Sequence, residues 1–111
     1  MRYGPKAADR PALTYRLTEE AANDLVHVYV ESVSRFGVNQ ANSYHDRLEH
    51  ALRLISDNPG IARERTEISP PVRVHPFGSH MIIYEIDALG VLILRVRHHR
   101  EDWANDPLHG D

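Results

Sequence analysis

Apolar residues recur every three to four positions in the first half of the chain and every second position in its last third. The first period is that of a helix and the second that of a strand. The segment LTYRL (13–17) alternates, with Leu13, Tyr15 and Leu17 on one side, and predicts a short first strand. Thr18 is placed to cap a helix, with Glu19 and Glu20 in the first turn, where the positive end of the helix dipole favours acids. Ala22, Leu25, Tyr29, Val33 and Phe36 then trace one face of that helix, and Gly37 is a natural stop. A second helix follows, with Asn39 as its cap and Ala41, Tyr44, Leu48, Ala51 or Leu52, and Ile55 as its stripe. Pro59 and Gly60 end it. The link between the helices is about three residues, so they should form an antiparallel hairpin.

Residues 61–71 show no period and end in two prolines, as expected of a loop. VRVHP (72–76), HMIIYEID (80–87) and VLILRVRHH (91–99) read as three strands of a meander, joined by FGS (77–79) and ALG (88–90). A three-residue hairpin loop, with Gly90 at its left-handed position, fits ALG best. The expected class is α+β: an N-terminal strand and an antiparallel two-helix hairpin packed on one face of a small antiparallel β-sheet. Residues 1–13 form a flexible lead-in, 14–103 one domain and 104–111 a C-terminal tail.

The loop choice fixes which side chains share a face. It sends Val72, Val74, Ile82, Tyr84, Ile86, Leu92, Leu94, Val96 and His98 toward the helices. Arg73, His75, Arg95, Arg97 and His99 then share the open face, around Met81, Ile83 and Ile93. Guanidiniums beside large exposed aliphatics suit a partner surface, because arginine matches carboxylates, phosphates and aromatic faces. Val26, Val30 and Val33 widen the first helix's apolar stripe, either for burial or as a groove for a partner. Trp103 either covers the core edge, the expected use, or anchors a contact.

Composition narrows the function classes. The 111 residues hold 41% hydrophobic and 26% charged side chains, carry a formal charge of −3 and include no cysteine. Disulfides and thiolate chemistry are excluded, and an acidic balance disfavours an indiscriminate nucleic-acid binder. The N-terminus lacks the apolar run of a signal peptide, so a cytoplasmic protein with no membrane association is expected. His98 and His99 are strand neighbours that alternation points to opposite faces, which disfavours a shared metal ion. Neither a Gly-rich phosphate loop nor a G-x-S-x-G nucleophile is present. No catalytic residue, metal site or cofactor is therefore assigned.

An ordered set of residues resembles the ParE branch of the ParE/RelE toxin superfamily. It comprises Ala22, Asp24, Leu25 and Tyr29; then Phe36, Gly37, Ala41, Tyr44, Pro59 and Gly60; then Arg73, the run 75–84, Arg95, Val96, His98, Arg100, Asp102 and Trp103. The likeness spans roughly residues 14–103, with His99 standing where glycine is common in similar sequences. The resemblance implies the toxin of a type II toxin–antitoxin, or plasmid-stabilization, module. Such a toxin binds and inhibits DNA gyrase and is neutralised by a ParD-like ribbon-helix-helix antitoxin. It forms a hetero-oligomer with that antitoxin and meets DNA only indirectly, through it. Arg73, His75, Arg95, Arg97, His99, Arg100 and Trp103 are the expected contacts with target or antitoxin, and Val26, Val30 and Val33 the antitoxin groove. The alternatives are ribosome-dependent mRNA cleavage, as in the RelE branch, and a non-toxic antitoxin-binding module. For cleavage, His99, His75, Glu85, Arg73 and Arg97 are the side chains able to move protons or hold a phosphorane.

Overall fold

The computed structural model describes residues 15–110. The lead-in and Leu13 lie outside them. Strand β1 (Tyr15–Leu17) leads into helix α1 (Glu19–Phe36) and helix α2 (Val38–Asp57). After a single 3-10 turn (Pro59–Ile61) come β2 (Glu64–Arg65), β3 (Val72–Phe77), β4 (His80–Asp87) and β5 (Gly90–His98). The sheet order is β1-β5-β4-β3-β2, with β1 parallel to β5 and the other pairs antiparallel. Two helices on one face of a mixed sheet make this the expected α+β class. Strand β2 lies within the segment read as loop.

Thr18 ties three elements together. Its hydroxyl accepts from the Ala21 N–H as the helix cap and donates to the Leu94 carbonyl, while its own N–H reaches the Ile93 carbonyl. The break between the helices is one residue, Gly37, at φ 88° and ψ 165°. That backbone region is open essentially only to glycine. The expected cap at Asn39 is thus displaced, because α2 begins immediately after Gly37.

The main core lies between sheet and helices. Ala21 of α1 and Leu48, Ala51, Leu52 and Ile55 of α2 meet Tyr15, Ile82, Tyr84, Val91, Ile93 and Val96, with Leu25 and Val28 at the margin. The buried side of α1 is therefore turned from the expected stripe, and Phe36 stands 58% exposed. Burying a hydroxyl requires a partner. The Tyr84 hydroxyl, buried with its ring, donates to the Pro59 carbonyl and accepts from the Ala62 N–H.

Register is where the structure departs most from expectation. The β4–β5 loop holds two residues, since Asp87 pairs with Gly90 and Tyr84 with Ile93. Beyond an irregularity at Ile83/Tyr84 the pairing shifts, so that Ile83 faces Arg95, Ile82 faces Val96 and His80 faces His98. Leu94 is the extra residue, and a β-bulge of this kind switches parity along one strand. Val91 and Ile93 consequently face the helices, whereas Leu94 joins the opposite side. On β3 the expected faces are exchanged: Val74 pairs with Ile83 and His75 with Ile82. Val72, Val74, Ile83 and Ile68 form a second cluster, flanked by Met81, Leu94 and Trp103. The face expected to be open is in fact covered.

Two substitutions separate backbone from packing effects. Gly37→Ala places a Cβ in open space, yet should cost about 1–3 kcal/mol through backbone strain alone. Leu52→Ala, in a fully buried site, should cost about 2–5 kcal/mol. Urea denaturation of each variant checks both; an unaffected Gly37→Ala protein would contradict the strained turn.

Candidate functional site

The arginines expected on an open surface are mostly spoken for. Arg95 is 5% exposed and Arg97 3%. Arg95 donates Nε and Nη2 to the two oxygens of Asp24, at 2.7 and 2.9 Å, and Nη1 to the Leu108 carbonyl. Arg97 donates Nε to Glu101 and Nη1 to the carbonyls of Asp106 and Pro107. A guanidinium has five N–H donors in a rigid fork, so burial demands several acceptors. Here residues 106–108 fold back across the strand and supply them, with Pro107 buried beneath.

Arg73 and His75 are likewise not beside Arg97. The β3 register turns them to the helix side, where Arg73 donates to the Ala62 carbonyl at 2.6 Å. Trp103 is half-buried against the second cluster, with the Arg65 guanidinium 5.6 Å from its ring centre. Of the acids after β5, Glu101 pairs with Arg97, while Arg95 pairs with Asp24 of α1. Of the residues selected from the sequence as contacts at the strand end, His99 and Arg100 are exposed.

The two adjacent histidines do come together, contrary to the alternation argument. β5 ends at His98, so His99 lies in the following turn, where strand parity no longer holds. Their rings stack with centres 4.6 Å apart, and His98 also meets the His80 ring edge-on at 5.4 Å. His80 Nδ1 lies 2.8 Å from the Tyr44 hydroxyl, which also accepts from the Ser79 N–H. The same hydroxyl lies 3.4 Å from the Phe77 carbonyl, so the phenol and the His80 ring are held by one shared hydrogen-bond network. Gly78 makes this contact possible: it sits at φ 54°, and a Cβ there would fall 2.6 Å from the Tyr44 oxygen.

Tyr44, His80 and His98 line a cleft of about 610 Å³. It lies between the C-terminal half of α1 (Glu31, Arg35, Phe36), the N-terminal half of α2 (Tyr44, Arg47) and the strand ends bearing His80, His98 and Arg100. Sequence reasoning placed Tyr44 and Phe36 on apolar helix stripes; Tyr44 does pack, against Phe77, while Phe36 is exposed, and both line the cleft. The register it favoured nevertheless sets His80 opposite His98, which was the available signal. Among the described residues, no three His, Asp or Glu side chains converge to hold a metal ion.

Burial lowers the His80 pKa below its ordinary value of 6.5, and the neighbouring His98 lowers it further, against the opposing pull of Glu31 and Glu101. Folding thus favours the neutral ring. Stability from this group is complete above pH 6.5 and falls as acid protonates the unfolded chain first, levelling off once the folded His80 also protonates. His80→Gln should flatten the loss of stability on acidification below that pH. Urea midpoints of both proteins across neutral and mildly acidic buffers provide the check, and parallel pH profiles would remove His80 from the account.

Residues 15–103 match the family model described as the ParE toxin of type II toxin-antitoxin system, parDE. The chain is 35% identical over 89 residues to Toxin ParE1 of Mycobacterium tuberculosis, covering 79% of this chain and 91% of that protein. It is 32% identical over 84 residues to Toxin ParE1 of Caulobacter vibrioides, covering 76% and 86%. A solved chain of the chromosomal ParDE TA system from P. aeruginosa shares the fold, with a TM-score of 0.66 at 19% identity over 76% of this chain and 92% of that one. Family match and relatives agree over nearly the same span, and the chain belongs to the ParE toxin family of type II toxin–antitoxin systems.

Proposed function

We propose that this protein is the toxin of its module and acts by binding, with DNA gyrase as the target and a ParD-like ribbon-helix-helix antitoxin as the neutralising partner. The observation that carries this reading is the family match over residues 15–103. The surface fits such a role. On α1, Val26 and Val30 are 59% and 58% exposed and one helical turn apart, with Val33 half-buried next in line. An i, i+4 apolar pair of this kind suits an amphipathic partner segment. His99 and Arg100, with the half-buried His75, remain the candidates for target contact; Arg73, Arg95, Arg97 and Trp103 serve contacts within the chain. No described helix is long and apolar enough to cross a membrane, and the proposed action is cytoplasmic, where gyrase works.

The mRNA-cleavage alternative draws less support. Its side chains do not converge, because Arg73 and His75 lie on the helix side of the sheet while Arg97 is buried on the other. Adding purified protein to gyrase should abolish supercoiling, and the antitoxin should restore it. Codon-positioned cuts on translating ribosomes would instead establish the cleaving toxin. Silence in both assays, with tight antitoxin capture, would leave an antitoxin-binding module without toxicity. Val26→Asp combined with Val30→Asp should weaken antitoxin capture by about 1–3 kcal/mol, with the unfolding midpoint unchanged.

A further inference from the structure

The helix-side cleft combines a small-ligand volume with aromatic and cationic side chains. Its volume, about 610 Å³, falls in the range of about 300–1,000 Å³ typical of small-ligand sites. Its walls are aromatic and its mouth is cationic. Among the described residues Arg47 and Arg100 face no carboxylate: Arg47 touches the Ser43 carbonyl and the Tyr44 ring, and Arg100 is exposed in the turn after β5. The acids at the cleft are already engaged. Glu101 accepts from Arg97 and the His98 N–H, and Glu31 pairs with Arg35. Two uncompensated guanidiniums at one opening attract an anion.

The donors exceed what a carboxylate can use. Beside Arg47 and Arg100, the cleft is lined by the imidazoles of His80 and His98. A phosphate monoester offers three strong acceptor oxygens and close to two negative charges near neutral pH. Phe36, 58% exposed, and the His98 ring, which stacks on His99 outside the cleft, give flat surfaces along its lining. Aromatic and imidazole faces of this kind stack nucleobases without regard to sequence. Gln40 and Ser32 on the helical wall supply hydrogen bonds for a base edge.

We propose that this cleft binds a phosphate monoester carried on a nucleoside, held by Arg47, Arg100 and His80 and stacked against Phe36 or His98. Two sources share that chemistry, a free nucleotide and the phosphorylated end of a nucleic-acid strand. The proposal does not depend on gyrase or antitoxin, and purified full-length protein alone tests it.

Imidazole resonances of the full chain, followed by NMR during titration with AMP, report directly on the floor of the cleft. His80 and His98 should shift, with a Kd of about 1 mM or tighter, and adenosine should bind about tenfold more weakly or worse. Arg47→Gln combined with Arg100→Gln removes only exposed side chains and should weaken AMP by about tenfold. A 5′-phosphorylated trinucleotide binding more tightly than both AMP and its 5′-hydroxyl counterpart would identify a strand end as the source. AMP binding as tightly as the phosphorylated strand would identify the free nucleotide. Unmoved histidines, equal binding of adenosine, an indifferent double variant, or tighter occupancy by a glutamate-rich peptide would each overturn the proposal.

Discussion

The Asp24 carboxylate accepts three hydrogen bonds where α1 crosses the sheet: two from the Arg95 guanidinium and one from the Val96 N–H. Both side chains are buried. β1 is only three residues long and covers β5 as far as Ile93, so the outer edge of β5 beyond it would present unpaired backbone groups. An open edge of that kind is both costly and adhesive. Thr18 and Asp24 close it, the first at the Leu94 carbonyl and the second at the Val96 N–H. The pair therefore joins the helical layer to the sheet and substitutes for the missing strand. Arg95 also reaches the Leu108 carbonyl, which extends the same network to the C-terminal segment.

The bulge at Leu94 is what makes this network possible. It lets Val91 and Ile93 pack under the helices while Arg95 and Arg97 turn to the other face. Without the extra residue, one strand could not bury aliphatics on the helix side and then deliver guanidiniums to the far side at the same parity. The far side is filled in turn by Ile68, Trp103 and Pro107, so both faces of this sheet are occupied. Exposed apolar and cationic side chains are left to the edges: the outward valines of α1 and the cleft at the strand ends.

Elements and their order were legible in the sequence because each rests on a local signal. Thr18 with Glu19 and Glu20 starts α1, Gly37 divides the helices, and alternation marks β4 and β5. Faces were less legible. Parity counted from a three-residue loop is right beyond the bulge, as Ile82 with Val96 and Met81 with Arg97 attest, and wrong before it. A bulge carries no composition signal here, since Leu94 differs little from its neighbours. The burial of Arg95 and Arg97 was hidden for a different reason: their partners, Asp24 and residues 106–110, lie far away in sequence or in a segment read as a tail. Tyr44, His80 and His98 belong to three separate elements, and only tertiary packing gathers them.

The central claim is that Asp24 and Arg95 act as one unit, and a double-mutant cycle measures it most directly. Asp24→Leu and Arg95→Met, singly, each strand a buried charge and should cost about 3–5 kcal/mol in urea denaturation. The double variant should lose about 1–3 kcal/mol less than the two singles together, because neither charge is then left alone. Additive losses, or single losses below about 1 kcal/mol, would contradict the account.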